Sequence, residues 1–204
     1  MEAGIPPAAP PVAPAATGQY PIRFDVDYKD KLSRLTTLLR LILVIPQIIV
    51  LYVLFIIAEI CVLIAWFAIV ITGKMPRGLF DLIVNVNRWS ANVNAYMWLL
   101  RDEYPPFTWD PGNYPVRYEA DYEEKRSRLT TLLRLILVIP QMIVLCFVIL
   151  VAEILAIIAW FAILFTGRFP EGMFGFVRGA LRWQFRVNGY FLLLTDRYPP
   201  FSLD

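Results

Sequence analysis

The sequence predicts a mostly α-helical, integral membrane protein made of two tandem copies of one unit. Residues 20–110 and 114–204 align without a gap at a constant offset of 94 residues. Apolar residues make up 58% of the chain and charged residues 18%. Soluble domains hold roughly 45–50% and about 25%, respectively. The excess apolar content lies in two long blocks, one in each copy, which is typical of membrane segments.

The repetition divides the chain into four parts. Residues 1–19 are rich in Pro and Ala and lack the basic and apolar regions of a signal peptide. We predict that they form a disordered tail that begins in the cytoplasm. Residues 20–110 form membrane repeat 1, residues 111–113 form a joint, and residues 114–204 form membrane repeat 2. Because the joint is so short, we expect the two copies to pack as one body.

Each copy opens with a short segment of period two. Ile22, Phe24 and Val26 alternate with charged residues in "YPIRFDVDY", and "YPVRYEADY" repeats the pattern from Tyr114. This alternation predicts a short β-strand with one face in water. The two strands could pair with each other, which would satisfy one edge of each.

The second element is the apolar block, in which Glu59 is the only charge between Leu41 and Ile71. As one helix this block would be about 46 Å long, whereas the hydrocarbon core is about 30 Å thick. We therefore predict a transmembrane helical hairpin that turns near Ala58 and Glu59. Basic residues flank both ends of the block, which favours an even number of crossings and two parallel repeats.

A different interpretation of the same block stays open. Pro46 removes a helical hydrogen bond and could divide the block. An interfacial helix would then run up to Ile45, and a single span would run from Pro46 to Ile71. This alternative places Glu59 near the middle of the membrane, where a charge is costly.

The third element follows a turn that contains Gly and Pro and has apolar residues at helical spacing. In copy 2, Arg178, Arg182 and Arg186 recur every four residues and form a basic stripe. A stripe of this kind opposite Trp, Phe and Leu predicts an interfacial amphipathic helix. The three arginines are candidates for binding anionic lipid headgroups. The competing interpretation is the general excess of basic residues on the cytoplasmic side.

Glu59 and Glu153 are the only acids deep in the apolar blocks, and they occupy equivalent positions in the two copies. Ionisable groups inside a membrane often mark the path of an ion or a proton. The two residues are therefore a candidate ion or proton pair. The competing interpretation is that each lies at the solvated tip of a hairpin.

No catalytic or metal-binding pattern is recognisable. The chain has no His, the usual general base and the commonest metal ligand. It has neither a G-x-S-x-G elbow nor a P-loop. Cys61 and Cys146 stand at non-equivalent positions, which argues against a shared disulfide or metal site. A net charge of +2 is too small to indicate nucleic acid. We expect no enzyme, no cofactor and no nucleic-acid partner.

Three long motifs carry a resemblance to a known family: "RLTTLLRLILVIPQ", "AWFAILFTGRFPEGMF" and "RWQFRVNGYFLLLTDRYPPFSLD". They resemble bacterial membrane proteins of domain-of-unknown-function family 4389, and the likeness covers all but the tail, in tandem copies. The resemblance implies an integral bacterial membrane protein with no established activity, so no site residue carries over. Copy 1 departs further from the pattern, with Val84 and Asn92 where copy 2 has Arg178 and Arg186.

Together these features predict a non-catalytic, multi-pass protein of the bacterial cytoplasmic (inner) membrane. Its expected role is that of an accessory or scaffold subunit that organises lipid or a larger membrane complex. The expected partners are the lipid bilayer, including anionic lipids, and other membrane protein subunits. Two alternative functions stay open: a small channel or transporter that uses the paired glutamates, and a membrane-shaping hairpin protein.

Overall fold

The computed structural model describes residues 19–110, 112 and 114–204. These residues form seven elements, which in chain order are β1 (Ile22–Val26), α1 (Arg34–Leu43), α2 (Ile45–Thr72), α3 (Arg77–Met97), β2 (Val116–Ala120), α4 (Arg128–Thr166) and α5 (Glu171–Phe191). The tail predicted for residues 1–19 lies outside the described residues except for Gln19. Of the predicted joint, only Gly112 is described. α4 of copy 2 corresponds to α1 and α2 of copy 1 together.

β1 and β2 pair as a two-stranded antiparallel ribbon, so both predicted strands and their pairing are confirmed. The register places Phe24 opposite Tyr118, its own equivalent in the other copy. A pseudo-twofold axis that relates the copies therefore passes through this pair, normal to the ribbon. Ile22, Phe24 and Val26 are buried on the inner face, and the outer face carries charged side chains.

The predicted transmembrane helical hairpin is wrong, because each apolar block forms helix through the expected turn. α2 is unbroken at Ala58 and Glu59, and α4 is unbroken at the equivalent Ala152 and Glu153. Ala and Glu are both good helix formers, and no Gly or Pro interrupts this part of either block. The prediction came from the thickness of the bilayer, but a long helix needs a turn only if it crosses the bilayer upright.

The repeated proline has different effects in the two copies. In copy 1, α1 ends at Leu43, and Pro46 lies in the first turn of α2, where its missing N–H is not needed for the helix. This agrees with the alternative break at Pro46. In copy 2, the equivalent Pro140 lies inside the continuous helix α4.

The long helices of the two copies lie antiparallel and touch near both ends. The indole N–H of Trp66 in α2 donates to the carbonyl oxygen of Thr131 in α4 at 3.3 Å. The indole of Trp160 in α4 donates to the carbonyl oxygen of Thr37 in α1 at 3.0 Å. These contacts exchange under the pseudo-twofold axis. The axis is therefore perpendicular to the helices, and the ribbon lies level with their middle.

The antiparallel arrangement removes the reason for predicting parallel repeats. That prediction assumed that each apolar block crosses the membrane an even number of times. Each block is instead one helix, broken only at Val44 in copy 1. Two such helices crossing the bilayer once each would make an inverted pair.

α3 and α5 form a middle layer between the ribbon and the long helices. Each strand packs on the middle helix of the other copy, β1 on α5 and β2 on α3. On the opposite side, α3 packs on α2 and α5 packs on α4. Both helices are buried on most sides within the protein, and their interfacial position stays a prediction. Their amphipathic pattern matches two protein surfaces, an apolar one and the polar ribbon.

Candidate functional site

The motifs that recur in both copies meet in a buried polar cluster. The guanidinium of Arg40 donates to Asp102 Oδ1 at 2.7 Å and lies 4.5 Å from the ring centroid of Tyr96. It also donates to the backbone carbonyl oxygens of Tyr96 and Arg101. Copy 2 repeats this cluster with Arg134, Asp196 and Tyr190.

A second bridge lies two helical turns further along. Gln47 Nε2 donates to the carbonyl oxygen of Pro105 at 2.6 Å, and Trp89 Nε1 donates to Gln47 Oε1 at 2.9 Å. Copy 2 repeats this bridge with Gln141, Pro199 and Trp183. The two sets of contacts hold each "YPPF" segment against the start of the long helix. Sequence analysis did not predict these two sets of contacts. The available signal was that their polar residues are identical in both copies although they adjoin or interrupt the apolar blocks.

The structure does not bring Glu59 and Glu153 together. The tryptophan contacts near the helix ends place Glu59 level with Val138 of α4. Glu153 lies 15 residues beyond Val138, which is about 22 Å along the helix. Both glutamates are exposed. Glu59 precedes Trp66 by seven residues, or almost two full turns, so it lies on the same side of α2 as Trp66.

The predicted basic stripe faces the ribbon. Arg182 Nη2 donates to Asp25 Oδ1 at 2.7 Å, and Arg178 Nη1 lies 3.8 Å from the same oxygen. Arg186 is buried and contacts the carbonyl oxygen of Ser202 at 3.4 Å. All three candidate lipid-binding arginines therefore have partners within the protein.

The outer face of the ribbon is a network of opposite charges. Arg117 contacts Asp25 at 2.9 Å and Asp27 at 2.7 Å. Burial raises the pKa of Asp25, but Arg117 and Arg182 outweigh this effect and hold that pKa below its ordinary value. The hydrogen bond from Arg117 also lowers the pKa of Asp27. A second set of ion pairs on this face joins Arg23, Glu119 and Asp121.

The opposite face of the molecule is apolar and belongs to the long helices. α2 and α4 are both long and apolar enough to cross a membrane, and only 17% of the most apolar window of each is buried. Most of the exposed large apolar side chains lie on α1, α2 and α4. A helix that is apolar all round belongs in a protein core or in a membrane. These helices lie outside the protein core over most of their surface.

A cavity of about 610 Å³ lies between the two copies. Phe55, Ser90 and Asn94 of copy 1 line it opposite their equivalents Ile149, Gln184 and Asn188. Its other lining residues belong to copy 2, so the cavity lies beside the pseudo-twofold axis, on the side of copy 2. The side chains from the long helices are mostly apolar. α3 and α5 supply four uncharged polar side chains, here called the polar floor, together with the apolar Phe185, Val187 and Phe191.

The described residues contain no group of three or more His, Cys, Asp or Glu that could hold a metal ion. Cys61 is buried, Cys146 is exposed, and neither is in a disulfide. Cys146 lines the central cavity.

Comparison with known proteins supports a family but no nearer relative. No curated protein and no solved structure matches the chain. A family model described as Domain of unknown function (DUF4389) matches residues 34–108 and again residues 128–202. Each match runs from the start of a long helix through a "YPPF" segment, and both leave out the ribbon strands. The chain therefore belongs to the DUF4389 family and carries two tandem copies of its unit.

Proposed function

We propose that this protein is a non-catalytic membrane scaffold that organises lipid, with its long helices embedded flat in one leaflet. The observation that supports this proposal is the opposition of two faces. One face of the molecule consists of the apolar helices α1, α2 and α4, and the other is the charged outer side of the ribbon. A molecule with one apolar face and one charged face fits the boundary between the hydrocarbon of a leaflet and water.

The apolar face is too large for a protein surface in water. Monomeric soluble proteins rarely expose apolar patches above a few hundred Å². Here Leu41, Tyr52, Ile71, Leu135 and Phe165 are each about two-thirds or more exposed, and they extend along the whole helix pair. Transfer of each such side chain from water to an apolar medium is favourable by roughly 1.5–3 kcal/mol. Lipid is therefore the medium that this face requires.

An upright crossing conflicts with the position of the ribbon. The pseudo-twofold axis passes between Phe24 and Tyr118 and through the middle of the helix pair. The ribbon therefore lies level with the middle of the helices. Upright helices would put the charges of Arg23, Asp25 and Arg117 in the hydrocarbon, where each costs about 3 kcal/mol or more. With the helices flat, the ribbon projects into water, and Glu59 and Glu153 are the charged residues that the described apolar stretches of α2 and α4 place on the membrane side.

The length of the helices supports the same orientation. α4 has 39 residues and is therefore about 58 Å long, nearly twice the hydrocarbon thickness of about 30 Å. A helix in the membrane plane meets no such limit, and its diameter of about 10 Å matches the usual insertion depth of about 5–10 Å. The pseudo-twofold axis then coincides with the membrane normal, so the copies are parallel repeats with respect to the membrane.

We propose that the long helices lie in the cytoplasmic leaflet of the bacterial inner membrane and that the N-terminus is in the cytoplasm. Both ends of the helix pair carry basic residues: Lys31, Arg34 and Arg168 at one end, and Lys74, Lys125 and Arg128 at the other. Anionic lipids of a cytoplasmic leaflet attract such residues. This arrangement replaces the multi-pass topology that the sequence favours.

A second function, membrane shaping, is favoured by the same flat insertion. Helices that enter only one leaflet expand that leaflet relative to the other, which favours curvature. A channel or transporter receives no comparable support, because Glu59 and Glu153 are about 22 Å apart along the helices.

Topology can be measured with single cysteines in the full chain. Lys31→Cys, Lys74→Cys and Glu119→Cys, each in a Cys61→Ala, Cys146→Ser background, report the two helix ends and the ribbon. Flat insertion predicts that an impermeant maleimide labels none of them in intact spheroplasts and all of them after permeabilisation. Labelling of only one helix end in intact spheroplasts would instead establish a crossing. Failure of the protein to float with lipid vesicles would reject membrane embedding itself.

A further inference from the structure

We propose that the cavity between the two copies binds an uncharged amphiphile. Its hydroxyl or ester head contacts the amides of the middle layer, and its tail passes between α2 and α4 into the leaflet. This inference rests on the proposed function, because the cavity reaches acyl chains only if the long helices lie in a membrane.

The size and walls of the cavity fit an apolar ligand. Small-molecule sites are typically about 300–1,000 Å³ and mostly apolar, with a few polar groups that fix orientation. This cavity measures about 610 Å³. Its walls include Phe55 of α2 and the side chains Val138, Leu145 and Ile149 of α4.

The polar floor can bind a hydrogen-bonding head. Asn188 Nδ2 donates to Asn87 Oδ1 at 2.9 Å, and Asn94 Nδ2 donates to the carbonyl oxygen of Ser90 at 2.8 Å. Gln184 Oε1 is buried and has no hydrogen-bond partner within the described part of the chain. A buried acceptor without a donor is unfavourable. Since Gln184 lines the cavity, rotation of its amide would expose this oxygen to a ligand hydroxyl, which would then donate to it.

The lining excludes a charged head. No Asp, Glu, Lys or Arg is among the described residues that line the cavity. A charged headgroup would lose its hydration there without gaining a counter-charge. The ligand class is therefore an amphiphile with an uncharged head, such as a diacylglycerol, rather than a phospholipid.

The mouth of the cavity faces the gap between the long helices. Met142 and Cys146 are exposed members of the lining. Met142 precedes Trp160 by 18 residues, which is five full turns, so it lies on the side of α4 that faces α2. The head at the floor then lies on the water side of the molecule and the tail on the hydrocarbon side. This is the orientation that a lipid already has in a leaflet.

The two copies offer a matched pair of variants. Cys146 lines the mouth, whereas its equivalent in copy 1, Tyr52, is exposed and outside the cavity lining. Cys146→Trp should therefore block the mouth without disturbing a buried contact, and Tyr52→Trp is the control. Gln184→Leu removes the open acceptor with little change in size.

The test uses the full chain in phosphatidylcholine vesicles that contain a trace of photoactivatable diacylglycerol or photoactivatable phosphatidylglycerol. The diacylglycerol probe should cross-link to peptides from α4 and α5 that line the cavity. Cys146→Trp should abolish this cross-link and Tyr52→Trp should leave it unchanged. Gln184→Leu should weaken it by about three- to tenfold, the effect of one lost hydrogen bond.

The outcomes separate this inference from the proposed function. Equal cross-linking by phosphatidylglycerol at the same peptides would overturn the uncharged head. Cross-links spread along the exposed helix face and unaffected by Cys146→Trp would overturn the cavity as the site. In both cases flotation of the protein with the vesicles would still support membrane embedding. If the protein does not float with the vesicles, the proposed membrane function is contradicted instead.

Discussion

Copy 1 and copy 2 have the same residues in the buried polar cluster that holds each copy together internally. They have different residues at the cavity between the copies and on the helix face that contacts the ribbon. Arg40 and Arg134 make the same set of contacts, atom for atom. By contrast, Ser90 stands opposite Gln184 at the cavity floor. Shared residues thus build the framework, and the differing residues give the molecule one asymmetric cavity. The duplication allowed one site to form from two unequal halves.

The strongest way to test the shared framework is to remove its buried arginine. Arg40→Met removes the cation that pairs with Asp102 and leaves this carboxylate, among the described residues, with hydrogen bonds from Ser33 and Thr36 alone. Both side chains of the ion pair are largely buried. Loss of one member of a buried pair typically costs about 3–5 kcal/mol of unfolding free energy. We expect a loss of this size in equilibrium unfolding in mild detergent, with an equal loss for Arg134→Met.

Arg77→Met is the control, since its side chain is 74% exposed and exposed ion pairs contribute about 0–1 kcal/mol. A large loss in one copy and a small loss in the other would contradict the equality of the two frameworks.

The ribbon should make the protein sensitive to acid. The pKa values of Asp25 and Asp27 lie below their ordinary values in the folded protein. Their stabilising effect is therefore present above the ordinary pKa of about 3.9 and is lost as pH falls through the lower folded-state pKa. We expect a constant Tm between about pH 7 and about pH 5 and a decline below about pH 4. Asp25→Asn with Asp27→Asn should flatten that decline; an unchanged decline would assign it to other groups.

The smallest effect is expected where copy 2 has a basic residue that copy 1 lacks. Arg178→Val gives copy 2 the residue of copy 1 and should leave flotation with anionic vesicles unchanged, because Arg178 faces the ribbon. Lys31→Glu with Lys74→Glu should weaken the preference for anionic over uncharged vesicles when the two compete, since each basic residue near a charged membrane contributes about 1 kcal/mol. A similar weakening by Arg178→Val would show that the ribbon side contacts lipid.

Local patterns in the sequence predicted local structure well. The alternation in β1 and β2 gave both strands, and the constant offset gave the tandem repeat. Pro46 marks the boundary between α1 and α2 in copy 1.

Features that depend on distant contacts could not be predicted. The hairpin turn near Ala58 and Glu59 was inferred from bilayer thickness, which limits only upright helices. The stripe of Arg178, Arg182 and Arg186 indicates a polar neighbour but does not tell water, lipid and ribbon apart. Arg40 and Asp102 are 62 residues apart in the chain, so neither residue indicates the other locally.

The exchange of strands between copies has a consequence for single-unit relatives. β1 covers α5 and β2 covers α3, so each half of the chain completes the fold of the other. A protein with one unit would leave its strand edge, its middle helix and its tryptophan indole without these partners. It could recover them from a second molecule in a symmetric dimer with exchanged strands. Fusion of the two units makes that association intramolecular and frees each half to change on its own.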